Sequence, residues 1–166
     1  MNLLKVHCCT VLLSVILAGC GFELRSYSFS ANVASFALTG DTRLAVAEPL
    51  RRGLKQAGVT EAPGSAEITV ELLDQRRERR AVSTGSGVRA AEYETSYAVR
   101  YRVTDAAGTE LLAPTWVERA RVFRIDRDNI VGSSEEQAIL QRELMADIVG
   151  QIIRTLDLVS RPAGTA

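Results

Sequence analysis

The residue best suited to covalent modification is a cysteine near the N-terminus. It belongs to Leu17-Ala18-Gly19-Cys20, which ends an apolar run that begins at Val11. Lys5 places a positive charge ahead of that run, which is too short to span a membrane. This layout is typical of a bacterial lipoprotein signal, in which the cysteine thiol is diacylated before the signal is cut away. We therefore expect a signal peptide over residues 1–19 and lipidation of Cys20.

An acylated Cys20 predicts a protein that is tethered to a membrane without crossing it. Burial of each methylene of an acyl chain stabilises the tether by roughly 0.8 kcal/mol, so several chains make a durable anchor. An aspartate directly after the acylated cysteine commonly retains a lipoprotein in the inner membrane, and this chain has Gly21 there. The sequence therefore favours the periplasmic face of the outer membrane.

Loss of the signal also removes residues that catalysis commonly needs. His7 is the only histidine, and Cys8 and Cys9 are two of the three cysteines. A histidine-dependent triad, a thiol nucleophile or a His/Cys zinc site cannot be assembled from the remaining residues. We therefore predict a protein that is not an enzyme and that needs neither a cofactor nor a metal.

Two acidic motifs resemble sites but lack the partners that a site requires. Asp126-Arg127-Asp128-Asn129 begins like a calcium loop, yet Ile130 and Val131 stand where a ligand and a glycine are needed. Glu92 and Glu94 share one strand face like the carboxylates of a glycosidase, but that reaction needs one acid in an apolar pocket. Nothing near them in the sequence supplies it, which favours a binding or scaffolding protein over a hydrolase.

The charge balance excludes a general attraction to nucleic acid or to anionic lipid. The chain has 20 basic and 20 acidic residues, and loss of Lys5 leaves 19 against 20, a net charge of about −1. Any anion binding must come from a local patch, and the densest is the run from Arg76 to Arg80. Guanidinium groups suit phosphates and carboxylates. The alternative is that this run is an ordinary solvated strand edge.

Hydrophobic spacing predicts the elements that position these residues. Alternation predicts strands, and apolar residues three and four apart predict helices. The predicted elements are a strand over 33–39, a helix over 46–57, a loop over 61–65, a long hairpin over 67–104 with a loose tip at 83–88, an extended stretch over 110–125 interrupted at Pro114, and a last helix.

The last helix has the strongest pattern. A capping box at Ser133-Ser134-Glu135-Glu136 predicts its first turn. Its apolar residues recur every four positions and form a stripe wide enough to cover a sheet. The stripe consists of Leu140, Leu144, Ile148, Ile152 and Leu156.

The predicted fold is α+β, a two-layer sandwich in which two helices pack on one face of a mainly antiparallel four-stranded sheet. In the returning hairpin strand Tyr97, Val99 and Tyr101 point one way, while charged residues point the other, which predicts a polar second face. Taking 19 signal residues from 166 leaves 147, which suits one domain. We expect a tether over 20–32, a single domain over 33–159 and a disordered tail over 160–166.

Several segments together resemble the LPS-assembly lipoprotein LptE family. They are the start at 20–25 (Cys-Gly-Phe-Glu-Leu-Arg), the entry into the alternating strand at 91–93 (Ala-Glu-Tyr), the segment 122–124 (Val-Phe-Arg) before an acidic turn, and the long last helix. The resemblance covers most of the mature chain. It implies an outer-membrane lipoprotein that plugs and helps to assemble the LptD β-barrel and supports lipopolysaccharide insertion into the outer leaflet.

Lipopolysaccharide carries phosphates and carboxylates, so the arginines of the hairpin are its expected contact. These are Arg76, Arg77, Arg79, Arg80 and Arg89. The family also has basic residues near the start of the last helix, where this chain has the capping box instead, so none is transferred there. The alternative function is a structural or pilot-type lipoprotein adaptor of another cell-envelope complex. Neither function involves nucleic acid.

Overall fold

Five strands and two helices follow one another along the chain. The computed structural model describes residues 33–83, 90–126 and 130–161. The elements are β1 (Ser35–Gly40), α1 (Ala47–Gln56), β2 (Thr60–Glu61), β3 (Ile68–Ser83), β4 (Ala90–Asp105), β5 (Glu110–Asp126) and α2 (Ile130–Val159). Outside the described residues lie the predicted signal peptide, Cys20, the tether, the hairpin tip with Arg89, and residues 162–166.

The sheet has five strands in the order β2-β1-β3-β4-β5 and is mixed. The α+β class is confirmed, but the predicted four-stranded, mainly antiparallel sheet is only roughly right. β2 is the additional strand, and it begins just before the stretch that was predicted to be a loop. Its two residues are too few to show alternation, and parallel pairing of Thr60 with Ser35 defines the strand. β1 also pairs in parallel with β3, whereas β3, β4 and β5 are antiparallel neighbours.

The predicted interruption at Pro114 is a shift in register and not a break in β5. Tyr101 pairs with Thr115, while Val103 pairs with Leu112, so β5 contains one extra residue at this point. Proline has no backbone N–H to donate, and β5 lies at the edge of the sheet, where such a residue is tolerated. The strand therefore continues past the proline to Asp126.

The core lies between the sheet and both helices. Val70 and Leu72 of β3 are buried together with the predicted inward residues of β4, among them Val99 and Val103. α1 contributes Leu50 and Leu54 to the same cluster. The predicted stripe of α2 is confirmed at four of its positions, which are at most 1% exposed: Leu144, Ile148, Ile152 and Leu156.

The predicted capping box is wrong, because α2 already begins at Ile130. Residues 133–136 lie inside its first two turns, and Ser134, Glu135 and Glu136 are exposed. Polar residues on the solvent side of a helix can have the same spacing as a cap, so the pattern misplaces the start by three residues. Neither helix of the described ranges combines the length and the apolarity that crossing a bilayer requires.

Gly40 ends β1 at a point where the backbones of β1 and β3 come very close. Its φ is +78°, and a Cβ added there would lie 2.1 Å from the carbonyl oxygen of Leu72. That oxygen accepts a hydrogen bond from the Asp41 N–H at 3.0 Å. Gly64 and Gly108 have the same left-handed conformation, with nothing within 4 Å of an added Cβ.

We predict that Gly40→Ala lowers the free energy of unfolding far more than Gly64→Ala or Gly108→Ala. The two control substitutions add the cost of a left-handed alanine, about 1–2 kcal/mol. Gly40→Ala has the same cost and in addition a clash that only backbone movement can relieve. We therefore expect its free energy of unfolding to fall by at least ~2 kcal/mol more than that of the controls. Urea unfolding of the three variants measures the difference, and equal losses would contradict this account of the β1–β3 contact.

Candidate functional site

One face of the sheet is covered by the helices, and the opposite face is covered by no element in the described part of the chain. We call this second surface the open sheet face. Side chains alternate along strands, and β3 has a register shift between Leu72 and Asp74, so the pairing of β3, β4 and β5 defines the members of this face. They include Glu71, Asp74, Arg76, Glu78 and Arg80 on β3, Glu92, Glu94, Ser96, Arg100 and Arg102 on β4, and Trp116, Glu118, Ala120, Val122 and Arg124 on β5.

Ion pairs join neighbouring strands across this face. Nε of Arg102 lies 2.6 Å from Oε2 of Glu71, and Nε of Arg80 lies 2.7 Å from Oε1 of Glu94. On β5, Nη2 of Arg124 donates to Oε1 of Glu92 at 2.9 Å. The hydrogen bonds to Glu94 and Glu92 raise the pKa of Arg80 and that of Arg124. The two glutamates that resembled a catalytic pair in the sequence are thus each held by an arginine on a polar face.

The sheet divides the predicted arginine run between its two faces. Arg76 lies on the open sheet face, with its guanidinium carbon 4.4 Å from the ring centroid of Trp116. Arg79 lies on the helix side, 4.8 Å from the ring centroid of Tyr93. Arg77 also lies on the helix side, where it pairs across the strands with Tyr97. The structure therefore places these arginines on one strand without bringing them into one patch.

A cleft of about 870 Å³ lies between α1 and α2 on the helix side of the sheet. The helices meet at one end of it, where a Cβ on Gly53 would lie 2.9 Å from Cδ1 of Ile153 and 3.0 Å from Cγ1 of Val149. Beyond this contact, Pro49 and Met145 line opposite walls. Thr95, Ser96 and Tyr97 of β4 line the cleft from the sheet.

Polar groups in this cleft lack partners. The side-chain hydroxyl of Tyr97 is buried and has no hydrogen-bond partner among the described residues, and the residue is only 6% exposed. Burial raises the pKa of Tyr97 to about 12, against a smaller opposite effect of the positive charge on Arg77. The cleft is also lined by three arginines, Arg52, Arg77 and Arg142, none of which forms an ion pair with the described residues.

Sequence reasoning missed this cleft. Arg52 and Arg142 lie far apart in the sequence, and each lies on a helix that also has exposed glutamates. They face a common space only because the helices pack side by side, so no linear pattern could group them with Arg77. Within the ranges that the structure describes, no cluster of three or more histidine, cysteine or acidic residues is arranged to hold a metal ion.

The family model described as LptE, lipopolysaccharide-assembly, matches residues 26–156. No protein of the curated set matched.

Three solved structures have a similar fold. The solution structure of an uncharacterised lipoprotein B from Nitrosomonas europaea has a TM-score of 0.70 and 23% identity, over 82% of this chain and 90% of that one. A minor lipoprotein from Acinetobacter baumannii has a TM-score of 0.62 and 18% identity, over 81% and 98%. The rare lipoprotein B from Shewanella oneidensis has a TM-score of 0.61 and 20% identity, over 74% and 92%. At these identities the likeness shows the fold.

The family match covers well over half of the chain, and it includes every element of the sheet and most of α2. This chain belongs to the LptE family of lipopolysaccharide-assembly lipoproteins, a family without enzymatic activity.

Proposed function

We propose that this lipoprotein is held at the periplasmic face of the outer membrane by an acylated Cys20 and plugs a large β-barrel partner of the LptD type. In this proposal residues 1–19 are a cleaved signal, 20–32 a tether, 33–159 one domain and 160–166 a tail. The protein helps the barrel to assemble and supports lipopolysaccharide insertion into the outer leaflet. It acts through binding alone.

The open sheet face is the observation that supports this function best. A barrel wide enough to hold a domain has a polar, water-filled interior. A plug therefore has to present polar side chains to the barrel, and the open sheet face presents charges that are already paired across strands. Trp116 and Val122, which are 38% and 57% exposed on the same face, offer apolar contact points for a protein partner.

The edge of β3 supports a contact with lipopolysaccharide. β1 pairs with β3 only as far as Leu72, so from there on β3 is an edge strand among the described residues. Arginines on both of its faces are therefore accessible from the edge to phosphates and carboxylates. Arg76 and Arg80 extend from one face, and Arg77 and Arg79 from the other. Arg89 completes the predicted set and lies outside the described residues.

Affinity purification from detergent-solubilised outer membranes tests the plug. We predict recovery of a large β-barrel protein in near-equal amount, because an enclosed plug dissociates slowly. Recovery of this protein alone would contradict the proposal.

Depletion of this protein in cells distinguishes the plug function from the function of an adaptor in another envelope complex. We predict that depletion leaves the barrel misassembled and reduces lipopolysaccharide at the cell surface, measured by surface labelling. An intact lipopolysaccharide layer with a correctly assembled barrel would favour the adaptor instead.

Substitution of Arg79, Arg80 and Arg89 by Ala should weaken lipopolysaccharide binding roughly tenfold at low salt. Three exposed contacts of about 0.5 kcal/mol each add up to that factor. The matched control replaces Arg43, Arg100 and Arg161, which removes the same charge from other surfaces. Binding by light scattering or fluorescence across a salt series measures the effect. If both triple variants bind as the natural protein does, the run is only a solvated strand edge.

A further inference from the structure

We propose that the cleft between α1 and α2 binds the hydrocarbon chain of a single-chain anionic amphiphile, such as a long-chain carboxylate. Arg52, Arg77 and Arg142 would face its charged group. This site goes beyond the proposed barrel plug and does not depend on it. It shares one residue, Arg77, with the hairpin arginines.

The size and the lining of the cleft favour a small amphiphile. Ligand sites are concave, mostly apolar spaces of about 300–1,000 Å³ with a few polar groups that orient the ligand. This cleft has about 870 Å³, and its walls include Pro49, Met145, Val149 and Ile153. Such a space suits one extended hydrocarbon chain, and it is too small to enclose a lipid with several chains.

The positive charges that line the cleft favour an anionic head group on the ligand. Three arginines line one cleft, and none of them has an ion-pair partner in the part of the chain that the structure describes. The other arginines around β3 do have partners: Arg80 pairs with Glu94, and Arg76 lies over Trp116. Unpaired guanidinium groups beside an apolar space are complementary to an anion that is attached to a hydrocarbon chain.

The Tyr97 hydroxyl is the second, independent observation. A buried hydroxyl without a hydrogen bond is unfavourable, and native proteins rarely leave one in that state. Tyr97 lines the cleft beside Arg77, and its phenol is protonated at neutral pH, as tyrosine ordinarily is. A neutral phenol can donate to a carboxylate, and a bound anion would satisfy the hydroxyl once a small side-chain movement opens it to the cleft, where it is now buried. The unsatisfied hydroxyl is thus explained as part of a ligand site.

Photolabelling tests the proposal on the full chain in phosphatidylcholine vesicles. The probe is dodecanoic acid with a diazirine in its chain, and mass spectrometry locates the labelled peptides. We expect saturable labelling within residues 45–56, 95–97 and 138–153. The uncharged dodecanol analogue should need at least about tenfold more probe for half-saturation, since it lacks the charge-assisted hydrogen bonds. Non-saturable labelling, or equal labelling by the alcohol, would overturn the proposal.

Variants separate binding from folding. Tyr97→Phe should raise the half-saturating concentration about tenfold without lowering the urea midpoint, because the hydroxyl has no hydrogen bond to lose. Arg77→Gln and Arg142→Gln should each raise it severalfold, most strongly at low salt. Arg100→Gln, on the open sheet face, is the matched control and should change nothing. Equal effects of Arg100→Gln and Arg142→Gln would mean that only the overall charge matters.

Competition with unlabelled lipids identifies the molecule that supplies the hydrocarbon chain. Ala146 is exposed and lines the cleft, so Ala146→Trp should block labelling while the protein stays folded. If lipopolysaccharide displaces the probe from the natural protein as effectively as dodecanoate does, the cleft takes an acyl chain of a larger lipid, and the single-chain assignment is wrong. If only free dodecanoate displaces it, the ligand is a monoacyl anion. Persistence of full labelling in Ala146→Trp would overturn the assignment of the cleft.

Discussion

The long antiparallel ribbon of β3, β4 and β5 has a continuous apolar surface on one face only. The rest of the structure depends on the burial of that surface by the two helices. Its strands of 16 or 17 residues extend about 53 Å, at ~3.3 Å per residue. α2 has 30 residues and a length of about 45 Å, so one helix runs along most of the ribbon. α1 covers the part where β1 widens the sheet. The opposite face has no cover among the described elements and is rich in charged residues, with Trp116 and Val122 exposed among them.

Cross-strand ion pairs make that open face suitable for recognition more than for stability. Exposed pairs of this kind each stabilise a fold by about 0–1 kcal/mol, and most of the stability comes from the buried cluster beneath the helices. Paired charges are nevertheless easier to place against another polar surface than isolated ones, because their mutual attraction offsets part of their desolvation cost. The family's role in lipopolysaccharide assembly fits a protein that works through its surfaces.

The fold could be predicted from periodic segments, and the errors occur where periodicity is missing or ambiguous. The buried stripe of α2 and the alternation around Val99 and Tyr101 were sufficient to predict a helix on a sheet. β2 is two residues long and has no pattern of its own, and the predicted cap failed because Ser134, Glu135 and Glu136 are exposed polar residues within the helix. The cleft could not be predicted, since Arg52 and Arg142 line one space only because the two helices pack side by side. The arginine run was found, but the register shift between Leu72 and Asp74, which decides whether Arg76 or Arg77 lies on the helix side, is visible only in the strand pairing.

The central claim is that the open sheet face is the surface that meets the barrel. The most direct measurement places a photo-crosslinking amino acid at Ala120, which is exposed on that face in the edge strand β5, and irradiates living cells. The comparison position is Glu143, exposed on α2. The account predicts a crosslink from Ala120 to a protein of barrel size that is stronger than any from Glu143. A crosslink from Glu143 with none from Ala120 would contradict it.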